Sequence, residues 1–119
     1  MKYLYKPAML VASLMVCFFG VSQVSFTNQG AMLQAMDGFS YEDCAADMNN
    51  DNLDDVVRVT GNGVYIDYQN GDGTMTGVFY PVDFINHPSW SIAAGDLDRN
   101  GHTDLLFGGG NAVSFVMAS

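Results

Sequence analysis

The stretch from Asp47 to Gln69 reads DMNNDNLDDVVRVTGNGVYIDYQ, and the stretch from Asp96 to Ala118 reads DLDRNGHTDLLFGGGNAVSFVMA. Laid over one another at an offset of 49 residues, Asp47 falls on Asp96, Asp55 on Asp104, Gly61 on Gly110, Asn62 on Asn111 and Val64 on Val113. The match extends upstream, where Tyr41 meets Trp90 and Ala45 meets Ala94, and Ile66 meets an apolar Phe115. Self-similarity at a fixed period marks a duplicated structural unit, of the kind that stacks into arrays or propeller blades.

Each unit reads as β-structure. DVVRVT, from Asp55 to Thr60, is rich in β-branched residues, and a Gly61-Asn62-Gly63 turn follows it. VYIDYQ, from Val64 to Gln69, places Val64, Ile66 and Tyr68 on one face. NGDG at Asn70 to Gly73 suits a tight hairpin, and GVFYPV, from Gly77 to Val82, supplies a further strand in which Pro81 marks a terminal or edge position. The second unit repeats the plan with SIAA, DLLFG and AVSFVM. No stretch beyond the leader has a 3.6-residue apolar period.

Ser119 aligns with Asn70, so about one and a half units are expected, whereas stacked repeats usually need about three for independent stability. A fragment, a truncated reading frame or a remnant that needs a partner is the expectation. The alternative is that Ser25 to Phe39 supplies a strand and closes a small sandwich.

The loops that open the two units concentrate oxygen-bearing side chains. Positions one, three, five and nine are Asp96, Asp98, Asn100 and Asp104 in the second, and Asp47, Asn49, Asp51 and Asp55 in the first. Gly101 and Asn52 stand at position six, where a left-handed residue curls the loop so that alternate side chains converge. Converging carboxylates repel one another and their pKa values rise unless a cation sits among them. Calcium accepts 6 to 8 oxygens at about 2.3–2.6 Å, and the backbone carbonyls of Leu53 and His102 at position seven add to the side-chain set. Magnesium demands a tighter octahedron, and neither loop has the Cys or paired His of a zinc site. An EF-hand fits poorly, because position twelve is Arg58 or Phe107 rather than Glu. A solvated Asp/Asn-rich turn is the simpler alternative for one loop; two matched copies favour the metal.

DMNNDNLDDVV and GDLDRNGHTDLLFG resemble the calcium loops of FG-GAP or VCBS repeats, which join two strands of a blade in integrin-like β-propellers. The similarity spans roughly Tyr41 to Ser119 and is better in the second loop. It implies an all-β fold of antiparallel blade-like units, a partial β-propeller, here preceded by an N-terminal signal helix. It also implies that Asp96, Asp98, Asn100 and Asp104, and by weaker match Asp47, Asn49, Asp51 and Asp55, are side-chain ligands of Ca2+. The first loop departs from the pattern at Asn49 and Asn52.

Lys2 and Lys6 precede an apolar run from Ala8 to Val21, and small residues follow at Gly20 and Ser22. That order is expected of a secretory signal peptide over residues 1–22, with an uncleaved membrane anchor as the alternative. Cys17 follows Val16, which is larger than the residue a lipid-attachment signal carries there, so lipidation is not expected. The remaining organisation is a linker or leading strand over 23–40, a first repeat over 41–89 and an incomplete second repeat over 90–119.

Cleavage would leave Arg58 and Arg99 against thirteen acids, a net charge of −11. Nucleic acid is excluded as a partner by the lack of clustered Lys and Arg. Cys44 would be the sole cysteine, so no internal disulfide is expected. The expected function is an exported, non-catalytic, calcium-binding repeat segment in adhesion, scaffolding or surface recognition. Its expected partners are calcium, a protein or glycan ligand, and further repeats or another chain.

The alternative is a carbohydrate-binding or accessory module of a secreted polysaccharide-degrading enzyme, with Trp90 and Tyr80 as stacking faces. Against that, Trp90 is expected to pack between units. His87 is expected in a loop, and Cys44, aligned with Ala93, as a small buried residue. Intrinsic catalysis is not expected. The acids alternate along two short loops rather than facing each other across a cleft, and no nucleophile elbow or phosphate loop is present.

Overall fold

The computed structural model describes residues 24–84, 90–109 and 112–119. The leader with its signal-helix expectation, and His87, lie outside them. Seven antiparallel strands form two sheets: β1 (Glu42–Ala46), β2 (Asp55–Thr60), β3 (Gly63–Gln69) and β4 (Met75–Pro81) in one, and β5 (Ser91–Gly95), β6 (Asp104–Gly109) and β7 (Ala112–Val116) in the other. The fold is all-β. Among the described residues the helical content is one 3-10 turn, Gly30–Met32, and no helix is long and apolar enough to cross a membrane.

The duplication read from the sequence is present in the register. Glu42 pairs with Val59 and Ser91 with Gly108; Thr60 pairs with Gly63 and Gly109 with Ala112. Every residue pair joining β1 to β2 and β2 to β3 recurs 49 residues later in β5, β6 and β7. Thr60 caps the two-residue Gly61–Asn62 turn, its hydroxyl 2.8 Å from Asn62 Oδ1 and 3.0 Å from the Gly63 carbonyl. Gly63 is required by close approach, because a Cβ there would strike the Tyr80 carbonyl and come within 2.7 Å of the Phe79 ring. The expected strand from Gly77 begins at Met75 and ends at Pro81, at the sheet edge.

Strand alternation gives each sheet two faces, and one face of the first packs on the opposite kind of face of the second. Val57, Val59, Val64 and Ile66 meet Leu105 and Phe107 in one buried cluster, joined by the half-buried Cys44, Tyr68, Ile92 and Val116. Phe84 closes one side, its ring edge-on to Phe107 at 5.2 Å between centroids. Cys44 is thus half-buried rather than fully enclosed as expected, because it sits on the edge strand β1.

The other face of the first sheet is covered by the N-terminal segment. Gln34 N–H donates to Asp67 Oδ1 at 2.6 Å, and Arg58 Nη2 donates to the Gln34 carbonyl at 2.8 Å. No strand forms between residues 24 and 41, so this segment does not close a sandwich. It lies across β2 and β3 instead, held by polar contacts. The sandwich expectation failed because Asn28, Gly30 and Gly38 interrupt the segment with turn chemistry.

Trp90 corrects another expectation. It is 78 % exposed and Tyr41, its equivalent, 49 %. Both precede the first strand of their sheet, beyond the last cross-strand pair. Neither ring is carried into the space between the sheets.

Candidate functional site

The loops joining β1 to β2 and β5 to β6 have the same backbone path. Asn50 and Arg99 take left-handed conformations at φ 62° and 65°, and Asn52 and Gly101 at 68° and 88°. The left-handed position six was foreseen. The one at position four was not, because Arg99 carries no turn signal. Two such residues wind the chain tightly enough that backbone N–H groups point inward, where acceptors must meet them.

The acidic side chains are those acceptors. Asn52 N–H donates to Asp47 Oδ2 at 2.8 Å and Gly101 N–H to Asp96 Oδ2 at 3.1 Å. Asp51 N–H reaches both Asp47 Oδ1 and Asn49 Oδ1, as Asn100 N–H reaches Asp96 Oδ1 and Asp98 Oδ1, all at 3.0–3.2 Å. Leu53 N–H donates to Asp51 Oδ1, and His102 N–H to Asn100 Oδ1, each at 2.8 Å.

Asp55 and Asp104, at position nine, are fully buried and tie each loop to its own sheet. Asp55 accepts from Met48 N–H and Gln69 N–H at 2.9 Å. Asp104 accepts from Leu97 N–H at 2.7 Å and Ala118 N–H at 2.8 Å. Charge-assisted bonds of this kind are stronger than neutral ones. Donation by Ala118 and Leu97 holds the Asp104 carboxyl below the usual carboxylate range. At Asp47 desolvation acts upward, and the N–H groups of Asn52 and Asp51 outweigh it and lower the value. The expected upward drift from mutual repulsion is therefore absent at these two groups. The inward-pointing amides supply positive potential that a count of acids does not reveal.

The two loops differ in how far their carboxylates converge. Asp96, Asp98 and Asp104 bring one oxygen each within 4.8 Å of one another. Among the described residues no such group forms from Asp47, Asp51 and Asp55, because the first loop has Asn49 where the second has Asp98. Asn100 is turned partly away, its Nδ2 donating to the Ala118 carbonyl at 2.7 Å. The His102 side chain is exposed.

The loops also touch each other. Asn50 Nδ2 donates to the Gly101 carbonyl at 2.7 Å, and Thr103 Oγ1 to the Asp47 carbonyl at 2.8 Å. These contacts place both loops at the same end of the paired sheets, a proximity that the 49-residue spacing alone does not reveal.

The all-oxygen donor set of the second loop suits a hard divalent cation, and Asp96 and Asp98 are exposed. The profile of the FG-GAP-like repeat family matches residues 47–107, from the first acid of the first loop to Phe107 within β6. No curated protein and no solved structure matches the chain significantly.

Proposed function

The chain belongs to the FG-GAP-like repeat family, and from that premise we propose that it is an exported, calcium-binding repeat module of adhesion or surface recognition, built as part of a β-propeller. The family is a non-catalytic repeat type, and the reading assigns no reaction to the chain. One observation carries the calcium reading: Asp96, Asp98 and Asp104 bring one oxygen each within 4.8 Å of one another, and among the described residues no basic side chain is bonded to them. Arg58, one of two basic residues beyond the leader, is engaged with Asp67.

Asp96, Asp98 and Asp104 would hold the ion, with the His102 carbonyl as a further donor. The first loop, with Asp47, Asn49, Asp51, Asp55 and the Leu53 carbonyl, would bind more weakly. Calcium would supply charge neutralisation and a fixed link between β5 and β6. Titration calorimetry of the chain with calcium is the test. Heat of binding whose tighter phase Asp98→Ala removes supports the reading, and the absence of heat from the parent chain removes it.

A second reading, glycan recognition, is favoured by the exposure of Trp90 at 78 % and of Tyr41 and Tyr80 at 49 % and 42 %. Exposed aromatic rings offer flat apolar faces with a polar rim. Retardation of the chain in gels containing soluble polysaccharides, lost in Trp90→Ala, tests it. Unaltered migration across the panel excludes it.

A further inference from the structure

The two acidic loops are joined by a reciprocal pair of hydrogen bonds. Asn50, at position four of the first loop, donates from Nδ2 to the Gly101 carbonyl of the second at 2.7 Å. Thr103, at position eight of the second, donates from Oγ1 to the Asp47 carbonyl of the first at 2.8 Å. Positions four and eight lie outside the donor set proposed for an ion. Nor does the duplication copy them, since the equivalents 49 residues away are Arg99 and Asp54, both exposed. The link therefore belongs to the contact between the units and not to either unit alone.

Each bond ends on a peptide group that the receiving loop already holds from its other side. The Asp47 carbonyl shares a plane with Met48 N–H, which donates to the buried Asp55 at 2.9 Å. The Gly101 carbonyl shares a plane with His102 N–H, which donates to Asn100 Oδ1 at 2.8 Å. Because the peptide plane is rigid, turning it disturbs both of its bonds together. Thr103 is also the chain neighbour of the buried Asp104, so a continuous path runs from Asp104 through Thr103 and the Asp47–Met48 peptide to Asp55.

The loops at the two ends of that path are unequal. Asp96, Asp98 and Asp104 bring one oxygen each within 4.8 Å of one another, and among the described residues the first loop forms no such group. An ion thus orders the second loop first. Repulsion between two ions opposes joint filling, but three carboxylates stand at each loop and outweigh one divalent charge. What then governs the second event is ordering: an ion that has fixed a shared element lowers the ordering cost met by the next.

We propose that Asn50 and Thr103 are positioning residues that couple the two loops, so that an ion held at the second loop pre-orders the first for a weaker ion. The ion rests on the calcium reading, whereas the coupling rests on the two bonds and operates without it. By linkage, filling the first loop strengthens the second by the same factor.

Amide exchange of the full chain, read at single residues, tests the coupling with and without calcium. The first-loop reporters are Asp51 and Asn52 N–H, which donate to Asp47. Calcium is added to the level that protects Asn100 and Gly101 in the second loop. Protection of Asp51 and Asn52 should then rise at least about fivefold in the parent chain, should not rise in the double variant Asn50→Gly with Thr103→Val, and should be retained in Thr103→Ser. Glycine keeps the left-handed conformer of Asn50, at φ 62°, and valine keeps the shape of Thr103 without its hydroxyl. In chelator, Asp96→Ala removes the acceptor of Asn100 and Gly101 N–H. It should speed exchange at Asp51 and Asn52 at least about fivefold, and leave them unchanged in the double variant.

First-loop protection that rises equally in parent and double variant, or stays flat while the second loop is protected, overturns the coupling and leaves the calcium reading standing. No response to calcium in either loop removes the calcium reading, and the chelator arm then decides the coupling. Exchange at Asp51 and Asn52 that ignores Asp96→Ala overturns it. Amides of β2 and β3 report the fold; if the double variant loses their protection, Thr103→Val against Thr103→Ser gives the same comparison through one bond.

Discussion

Arg58 and Asp67 form a buried ion pair on neighbouring strands, Nη2 to Oδ2 at 2.5 Å and Nε to the same oxygen at 3.0 Å, and the residues 49 positions on are Phe107 and Val116. One position in the repeat thus carries charge in the first sheet and apolar side chains in the second. The difference follows from what covers each. Phe107 and Val116 face the first sheet inside the core, whereas Arg58 and Asp67 face the N-terminal segment, whose Gln34 bonds to both. The pair makes the outer face of the first sheet an end rather than an interface.

Removing one partner of that pair strands a buried charge, so Arg58→Ala should cost about 3–5 kcal/mol. The double replacement Arg58→Phe with Asp67→Val, which copies the second unit, should cost less than either single change. It should nevertheless release residues 24–40 to protease, because Gln34 loses both anchors. Denaturant unfolding with limited proteolysis checks both halves. Additive losses in the unfolding measurement would show that the two groups act independently.

Glu42 is 8 % exposed, and among the described residues neither carboxylate oxygen has a hydrogen-bond partner. Burial first, and then the neighbouring Asp43, push its carboxyl above the usual value of 4.5. A carboxyl raised in the folded state binds its proton more tightly there than in the unfolded chain. Its penalty is absent below about pH 4.5, grows as pH rises through the folded value and is complete above it. Glu42→Met should therefore stabilise the fold by about 1–3 kcal/mol at pH 7, the cost of an unpaired buried polar group, and the gain should shrink as the pH is lowered to 4. Melting curves across that range are the check.

Ile66 and Phe115 are repeat equivalents with opposite surroundings, 6 % and 62 % exposed. Ile66→Ala should cost about 2–5 kcal/mol through lost burial and a cavity, whereas Phe115→Ala should change stability by no more than about 0.5 kcal/mol. Chemical denaturation of the two variants measures the contrast directly.

Gly63→Ala places a methyl group against the Tyr80 carbonyl and the Phe79 ring. Neither can retreat without shifting β4, so a loss of about 1–3 kcal/mol is expected from overpacking. Exchange protection should fall first in β4, which hydrogen exchange resolved by residue will show.

Much of the fold was legible because strand alternation and the 49-residue offset speak of the same unit twice. β-branched runs set β2 and β3, and the offset carried that assignment to β6 and β7, whose residues alone are less telling. β1, with the sequence EDCAA, has no β-branched residue, and its place follows from alignment with SIAA. The loop acids were legible as a group, but their convergence was not. It depends on left-handed Arg99 and on amide donors, and it separates the second loop from the first through Asp98 against Asn49. What covers each outer face lay beyond the sequence, because Gln34 and Asp67 are 33 residues apart and the same repeat position is charged in one sheet and apolar in the other.

The most direct test of the calcium account is the melting temperature of the chain with 1 mM calcium and with chelator, beside Asp98→Ala. For a dissociation constant of about 0.1 mM, of the weak extracellular class, binding at one loop adds about 1.4 kcal/mol. The account predicts a higher melting temperature with calcium for the parent chain and no calcium response at the second loop in Asp98→Ala. Identical melting of the parent chain in calcium and in chelator would contradict it.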